Sequence, residues 1–576
     1  MKKILVILIL VVSCKSTTKK DFDFETVFEK SQGLETATYQ QTIQYYKDLA
    51  TAYSSISIDS IGSTDSGKPL HLVTLNPDGN FNFESIRNDK RILLINNGIH
   101  PGESDGIDAT MMLFRDMASG KIEAPKHTVL ATIPIYNVGG SLNRNTSTRT
   151  NQNGPKAYGF RGNARNFDLN RDFIKSDTKN AKTFAQIFHL VKPDVFIDNH
   201  VSNGADYQYT LTHLFTQHNK LGGTLGNYLH TKMQPNLEAK LANKQWDITP
   251  YVNVFNKVPE AGFSQFMDSP RYSTGYTTLF NTLGMMVETH MLKPYKQRVE
   301  GTFELMKSMI EIIEEDHEQI KSLRQDYNQQ LIAKKTYPLQ WEIDTTKTTT
   351  LNFKGFEGNM IPSNITDADR LKFDRNQPFT KQITYQNYFK PSLEIEIPKA
   401  YIIPQGWWNV IELLKLNDVD MTPLSKDSTI TIQSYKIDNY QTRSQAYEGH
   451  YQHYNTTIKV SEETITFNKG DFIIKTNQEA FRYLIETLEP QAPDSFFNWN
   501  FFDTILQQKE GFSPYVWEDK AELILRQDPK LRINFNLKKS YDKDFASNWY
   551  AQLDWLHKQS VNYEKSHLQY PVYRLK

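Results

Sequence analysis

An open, mixed α/β sheet with helices on both faces is the fold class this sequence predicts, followed by a β-rich accessory region and a mixed α/β tail. Three observations predict it. Short, branched apolar runs alternate with segments of 3.6-residue periodicity up to about residue 335. Beyond Tyr337 the apolar period becomes two, as in Leu393, Ile395 and Ile397, and again in Ile458, Val460, Ile465 and Phe467. A helical stripe then returns in Ala480, Phe481, Leu484, Ile485 and Leu488.

Residues 1–13 read as a targeting segment, because Lys2 and Lys3 precede an apolar run, 4–12, too short to span a bilayer as a helix. The run ends in Val11-Val12-Ser13-Cys14, which resembles the bacterial lipobox, cleaved before a cysteine that takes a lipid. Cys14 is the only cysteine, so the mature chain carries no disulfide and no thiolate metal site. Residues 14–30 read as a tether. No acidic run follows Cys14, which favours a lipid-anchored, periplasm-facing protein of the cell envelope over surface display. An ordinary secretory signal with a chance cysteine is the alternative.

Residues 31–335 follow as one α/β domain. A helix is expected over 22–52, from Thr42, Ile43, Tyr45, Tyr46 and Leu49, then strands at 71–75 and 91–95. Asp105 is placed to cap a helix carrying Ile107, Met111, Phe114 and Ala118. A strand at 129–135, a helix face Phe184, Ile187, Phe188, Val191, and a strand at 194–198 complete the alternation. Such sheets place their sites beyond the carboxyl ends of the strands. The segment 299–335 reads as a long amphipathic helix closing the domain. The β-rich accessory domain is expected over 336–440, with a small sandwich as one form, and the mixed tail over 441–576. Seven of the eight tryptophans lie after Lys335, and their apolar periodic setting favours burial over a glycan platform.

Composition narrows the function. Lys and Arg total 66 against 66 for Asp and Glu, which implies neither nucleic acid nor an anionic surface as partner. A chain of 576 residues has room for two or more domains, each with its own core.

Four stretches carry chemistry. In Asn96-Asn97-Gly98-Ile99-His100-Pro101-Gly102-Glu103, Pro101 and Gly102 oppose a helix, so His100 and Glu103 meet across a turn at a strand's end. An imidazole and a carboxylate so placed suit zinc with a third ligand, although a solvated polar turn has the same sequence. His200, at the next strand end, is that third ligand, or else a hydrogen-bonded structural histidine. Arg161, Arg165 and Arg171 fall within eleven residues, suggesting forked recognition of a carboxylate, with Asn170 as an amide donor beside Arg171. Pairing of these arginines with Asp168 and Asp172 is the structural alternative. The strand Leu283-Gly284-Met285-Met286-Val287-Glu288 delivers one carboxylate, desolvated enough for a general base or paired structurally. Tyr272 and Tyr276 lie on a Gly-containing loop suited to a lid, or to packing.

In order and spacing, HPGE, R-x-N-x5-D-L-N-R-D-F, a strand ending in His and a strand ending in V-E-T resemble the zinc metallocarboxypeptidase family of carboxypeptidases A, B and D, over about residues 42–293. The resemblance implies that His100, Glu103 and His200 bind one zinc ion, and that Glu288 is the catalytic glutamate. It further implies that Asn170 and Arg171 hold the C-terminal carboxylate of a peptide and that Arg161 faces the scissile carbonyl. Tyr276 and Tyr272 both match the family's mobile tyrosine. Gly102 replaces an arginine of the digestive enzymes, which removes one substrate-binding candidate. The region after 335 resembles the C-terminal extension of bacterial lipoprotein-type members. A zinc amidohydrolase acting on peptidoglycan stem peptides or N-acyl amino acids keeps the same parts. A non-catalytic peptide- or glycan-binding lipoprotein is the reading from another class.

Overall fold

The structure, a computed structural model, describes residues 22–576. The expected targeting segment and Cys14 lie outside the described residues.

The first helical stretch is interrupted. Helices Val27–Lys30 and Tyr39–Ala52 are separated by a turn in which Gln32 and Gly33 take positive φ, 56° and 86°. Thr38 restarts the helix with a capping box to Gln41, satisfying backbone donors that an unbroken helix would not expose.

Strands β1 (Ile56–Ser63), β2 (Pro69–Leu75), β3 (Arg91–Asn96), β4 (Thr128–Ile133), β5 (Val195–Ser202), β6 (Leu211–Phe215) and β7 (Ile248–Pro250) belong to one sheet with β9 (Leu283–His290). A short β8 (Phe263–Ser264) lies outside it. The order is β1-β2-β4-β3-β5-β9-β6-β7. The centre, β4-β3-β5-β9, is parallel, while β1, β2 and β6 pair antiparallel, so the sheet is mixed.

Alternation along β5 shows that both faces are covered. Phe196 meets Phe184 of the helix Lys179–Val191, ring centroids 6.1 Å apart. Asn199 points the other way, its amide 3.8 Å from the sulfur of Met306 in the long helix Tyr295–Ile332. On that second face the helix Asp105–Ala118 comes so close that a Cβ on Gly106 would stand 2.4 Å from the Cβ of Asn199. Asp105 is not the cap that was expected. Ser104 occupies the N-cap, and the Asp105 carboxylate instead accepts from Thr289 Oγ1 and pairs with buried Arg298 at 3.0 Å.

After the long helix come β10 (Thr336–Ile343), β11 (Thr349–Pro362), β12 (Asp369–Gln386), β13 (Phe389–Glu396), β14 (Ala400–Ile403), β15 (Thr422–Pro423), β16 (Ser428–Thr442), β17 (His453–Phe467), β18 (Phe472–Lys475) and β19 (Tyr573–Leu575). They do not form one sandwich over 336–440. β10 pairs with β13, the β11–β12 hairpin adds β8, and a third sheet runs β15-β18-β14-β19-β16-β17. The boundary expected at 440 falls inside β16, and the last strand of the chain, β19, inserts between β14 and β16. Backbone pairing therefore ties the tail to the accessory region. The aromatic block Phe496, Phe497, Trp499 and Phe502 is buried, and the helices of 514–558 close a small core around Trp517, Phe535 and Phe545.

Candidate metal centre

β3 ends at Asn96, and Gly98, at φ 63°, turns the chain so that the Glu103 N–H donates to the His100 carbonyl at 2.8 Å. This is the turn expected from Pro101 and Gly102. β5 carries His200 and β9 carries Glu288, and the parallel register makes these two residues direct partners with side chains on one face. The helix Lys179–Val191 covers that face near Phe196, and beyond it the strand ends open into a cleft of about 430 Å³. His100, Glu103, Arg161, Asn170, Arg171, His200, Tyr272 and Glu288 all line it.

His100, Glu103 and His200 are nearly inaccessible to solvent, and one ligand atom from each lies within 4.8 Å of the others. Glu103 Oε2 stands 3.3 Å from His100 Nδ1 and 3.2 Å from His200 Nδ1. The far nitrogens face carboxylates. His100 Nε2 is 2.9 Å from Asp168 Oδ1, and His200 Nε2 is 2.9 Å from Asp198 Oδ2. At His100 that carboxylate holds the proton on Nε2 and turns the Nδ1 lone pair inward, the arrangement that orients metal-binding histidines, whereas the hydrogen bond of His200 is made by Nδ1 to Glu103 Oε2. His100 Nδ1 has no hydrogen-bond partner among the described residues. A buried, unsatisfied nitrogen is costly unless something occupies the position it faces. Two imidazole nitrogens and a carboxylate oxygen fit a zinc ion with an open fourth position.

The surrounding charges are uneven. Burial would raise the Asp168 carboxyl, but His100, Arg161 and Arg171 hold it well below the usual carboxylate range. Burial pushes the Glu288 carboxyl up to about 8; Glu103 adds to this, while His200 and Arg161 oppose it. Glu288 is only half-buried, so the group remains open to the cleft.

The Asp168-Leu169-Asn170-Arg171 turn bends across the mouth. Arg161 Nη2 reaches Asp168 at 2.8 Å and its Nη1 lies 3.6 Å from Glu103. Asn170 Oδ1 accepts the Ser273 N–H at 3.1 Å, which orients the amide. Arg171 stacks its guanidinium 4.5 Å from the Tyr272 ring centroid. Arg165 turns away, onto Phe167 and the Asp177 carbonyl. Asp172 pairs with Lys175 at 2.6 Å rather than with an arginine.

The structure separates the two tyrosines. Tyr272, extended at the N-cap of the helix Ser273–Thr278, faces the cleft. Tyr276, one turn on, is fully buried among Phe173, Phe184 and Phe188, its hydroxyl donating to Asn417 at 2.6 Å. It does not belong to the cleft. Nor is the loop a free lid, because Arg271 is clamped to buried Asp494 at 2.6 Å and lies over the Trp499 ring.

Arg149, Tyr251 and Asp268 are among the cleft residues that carry no motif signal. Arg149 Nη1 donates to Glu103 Oε1 at 2.8 Å, and its Cδ lies 2.9 Å from where a Cβ on Gly102 would stand. The cleft is thus not short of an arginine beside Gly102. One reaches the same space from a loop 46 residues after Glu103.

No protein-family model matches the chain. Carboxypeptidase 2 of Trichophyton rubrum is 22% identical over 497 residues, covering 81% of this chain and 84% of that one. Carboxypeptidase 2 of Trichophyton equinum is 22% identical over 441 residues, 72% and 74% of the two chains. Among solved structures, the metallo-carboxypeptidase from Burkholderia cenocepacia matches with TM-score 0.37 and 14% identity, over 49% of this chain and 70% of that one. Carboxypeptidase A from Helicoverpa armigera matches with TM-score 0.37 and 12% identity, over 48% and 73%. The resemblance carried by the sequence motifs is met by relatives that bear the carboxypeptidase name.

Proposed function

We propose that this chain is a zinc metallocarboxypeptidase that removes C-terminal residues from peptides in the bacterial cell envelope. The observation that carries the reading is convergence. His100, Glu103 and His200 bring ligand atoms within 4.8 Å of one another in a cleft they share with Glu288, Arg161, Asn170 and Arg171. The relatives named carboxypeptidase support a peptide hydrolase.

His100, Glu103 and His200 would hold the zinc, which when bound supplies Lewis acidity toward water and the scissile carbonyl. Asn170 and Arg171 bind the terminal carboxylate of the peptide by a forked set of donors, which restricts cleavage to chain ends. Glu288 takes a proton from the attacking water and passes it to the leaving amine. A carboxylate that shares the cleft with the three ligands is placed for both transfers. Arg161 donates to the carbonyl oxygen as negative charge develops there, a role whose loss typically costs about 100- to 1,000-fold in rate. Tyr272, stacked against Arg171, would help to hold that guanidinium in the cleft.

The test is mass spectrometry of products from a mixed peptide library, with and without a zinc chelator. Stepwise C-terminal loss that the chelator abolishes is the expected result. Glu288→Gln should keep one zinc per chain and lose at least about 100-fold in kcat; near-full activity in that variant would sink the mechanism. Cleavage of muropeptides or N-acyl amino acids alone would transfer the same chemistry to an amidohydrolase. Bound zinc without hydrolysis of any substrate would favour a receptor. Anchoring through lipidated Cys14 is part of the proposal and rests on the lipobox resemblance.

A further inference from the structure

We infer that a second cavity, at the amino ends of the strands whose carboxyl ends carry the metal centre, binds a small dianion, a dicarboxylate or a phosphate ester. The inference stands apart from the carboxypeptidase reading and is tested by binding, not by hydrolysis.

Arg91 opens β3, Asp194 directly precedes β5 and Thr282 directly precedes β9. These three residues line a cavity of about 320 Å³, large enough for a small organic molecule. The helix Phe83–Asp89 brings Arg87 to it, and the long helix Tyr295–Ile332 brings Lys321 and Arg324. The C-terminal region contributes Asn417, Asp418 and Glu479. Phe188, Phe280 and Ala480 add apolar surface on which a carbon skeleton can pack.

The lining holds five cations, Arg87, Arg91, Lys192, Lys321 and Arg324, against three carboxylates, Asp194, Asp418 and Glu479, so two positive charges are left over. Lys192 takes both Asp418, at 2.9 Å, and Glu479, at 3.2 Å. The other four cations have Asp194 alone. Arg91 and Arg324 both reach its Oδ1, at 3.2 and 2.5 Å. Arg87 and Lys321 form no ion pair among the described residues. Arg87 donates to the carbonyls of Leu190 and Val191, and Lys321 donates to that of Asn88 at 2.7 Å. The first two carbonyls end the helix Lys179–Val191 and offset only part of a charge. His189, in the same lining, adds no charge at neutral pH, because burial pushes its imidazole down to about 4. Cations gathered around one carboxylate in a concave space focus a positive potential there. Guanidinium and ammonium donors suit the oxygens of a carboxylate or a phosphate, which they bind by charge-assisted hydrogen bonds. A dianion cancels the excess of two, whereas a monoanion leaves half of it and a neutral molecule leaves it all.

The test is isothermal titration calorimetry on the full chain with zinc, using succinate and inorganic phosphate as probes and succinamide as the uncharged control. Saturable binding of either probe, with none of succinamide, is the expected result. Succinate alone would mark the ligand as a dicarboxylate, and phosphate alone would mark it as a phosphate ester. The metal cleft also holds arginines, so variants decide which site is filled. Lys321→Glu reverses a charge that meets only a carbonyl, and it should weaken binding at least about 10-fold. Arg87→Gln, which keeps an amide donor for the helix-end carbonyls, should also weaken it and guards against misfolding of the first variant. Arg171→Gln, in the cleft, should leave it unchanged. No saturable binding of either probe overturns the inference. So does binding that Lys321→Glu and Arg87→Gln leave intact, or that Arg171→Gln alone abolishes.

Discussion

The candidate site depends on which nitrogen of each histidine faces inward, and at His100 a hydrogen-bonded carboxylate decides that. Asp168 sits 2.9 Å from His100 Nε2, and Asp198 sits 2.9 Å from His200 Nε2. Asp168 has a second task, since its other oxygen holds Arg161 at 2.8 Å. Asp168→Asn should therefore weaken zinc about 10- to 100-fold, measured by competition with a chromogenic chelator. Unchanged affinity would show that Asp168 serves only the arginines. His100, Glu103, His200, Glu288, Asn170, Arg171 and Arg161 were all legible in the sequence, because each lies in a short motif tied to a strand end or a polar turn. Arg149 and Asp268 were not. Nothing local marks an arginine that returns to a glycine from a distant loop, or an aspartate whose meaning comes from the cavity it faces.

At the scale of elements, the turn leading into the helix Ser273–Thr278 joins the cleft to the C-terminal region. Its Ser273 N–H orients Asn170, its Tyr272 stacks on Arg171, and its Arg271 is fixed by Asp494. Asp494 is fully buried and also accepts from the Trp499 indole at 3.2 Å. Asp494→Ala leaves the Arg271 charge without its partner, which should destabilise the chain by about 3–5 kcal/mol, read from denaturant unfolding. The freed turn should also raise KM more than it lowers kcat, because in the proposed mechanism Asn170 and Arg171 hold the substrate while Glu288 is untouched. Loss of stability with unchanged KM would mean the turn holds its shape without the clamp. The Ser-Thr-Gly-Tyr sequence suggested mobility, and the anchor that opposes it lies in residues more than two hundred positions later.

At the scale of the molecule, the region after residue 335 is packed onto the elements that form the cleft. β12 pairs with β8, Glu448 accepts the Asp168 N–H at 2.9 Å, and His450 reaches Asp177 at 2.7 Å. An adaptor swinging free of the cleft does not have such contacts. The anchoring proposal also belongs to this scale. Cys14→Ala should move the protein from the membrane fraction to the soluble fraction, followed by immunoblot and by incorporation of labelled fatty acid. Retention in the membrane without label would remove lipidation from the proposal. The sequence by itself determined the alternating elements of the sheet, the strand ends that carry His200 and Glu288, and the turn that joins His100 to Glu103, because period and turn chemistry are local. Only the tertiary structure decided that Tyr276 is core and Tyr272 cleft, that the tail's last strand completes the accessory sheet, and that Asp268 lines the cleft. Those outcomes depend on which distant surfaces are buried against each other, and that choice is made by the packing of the whole chain.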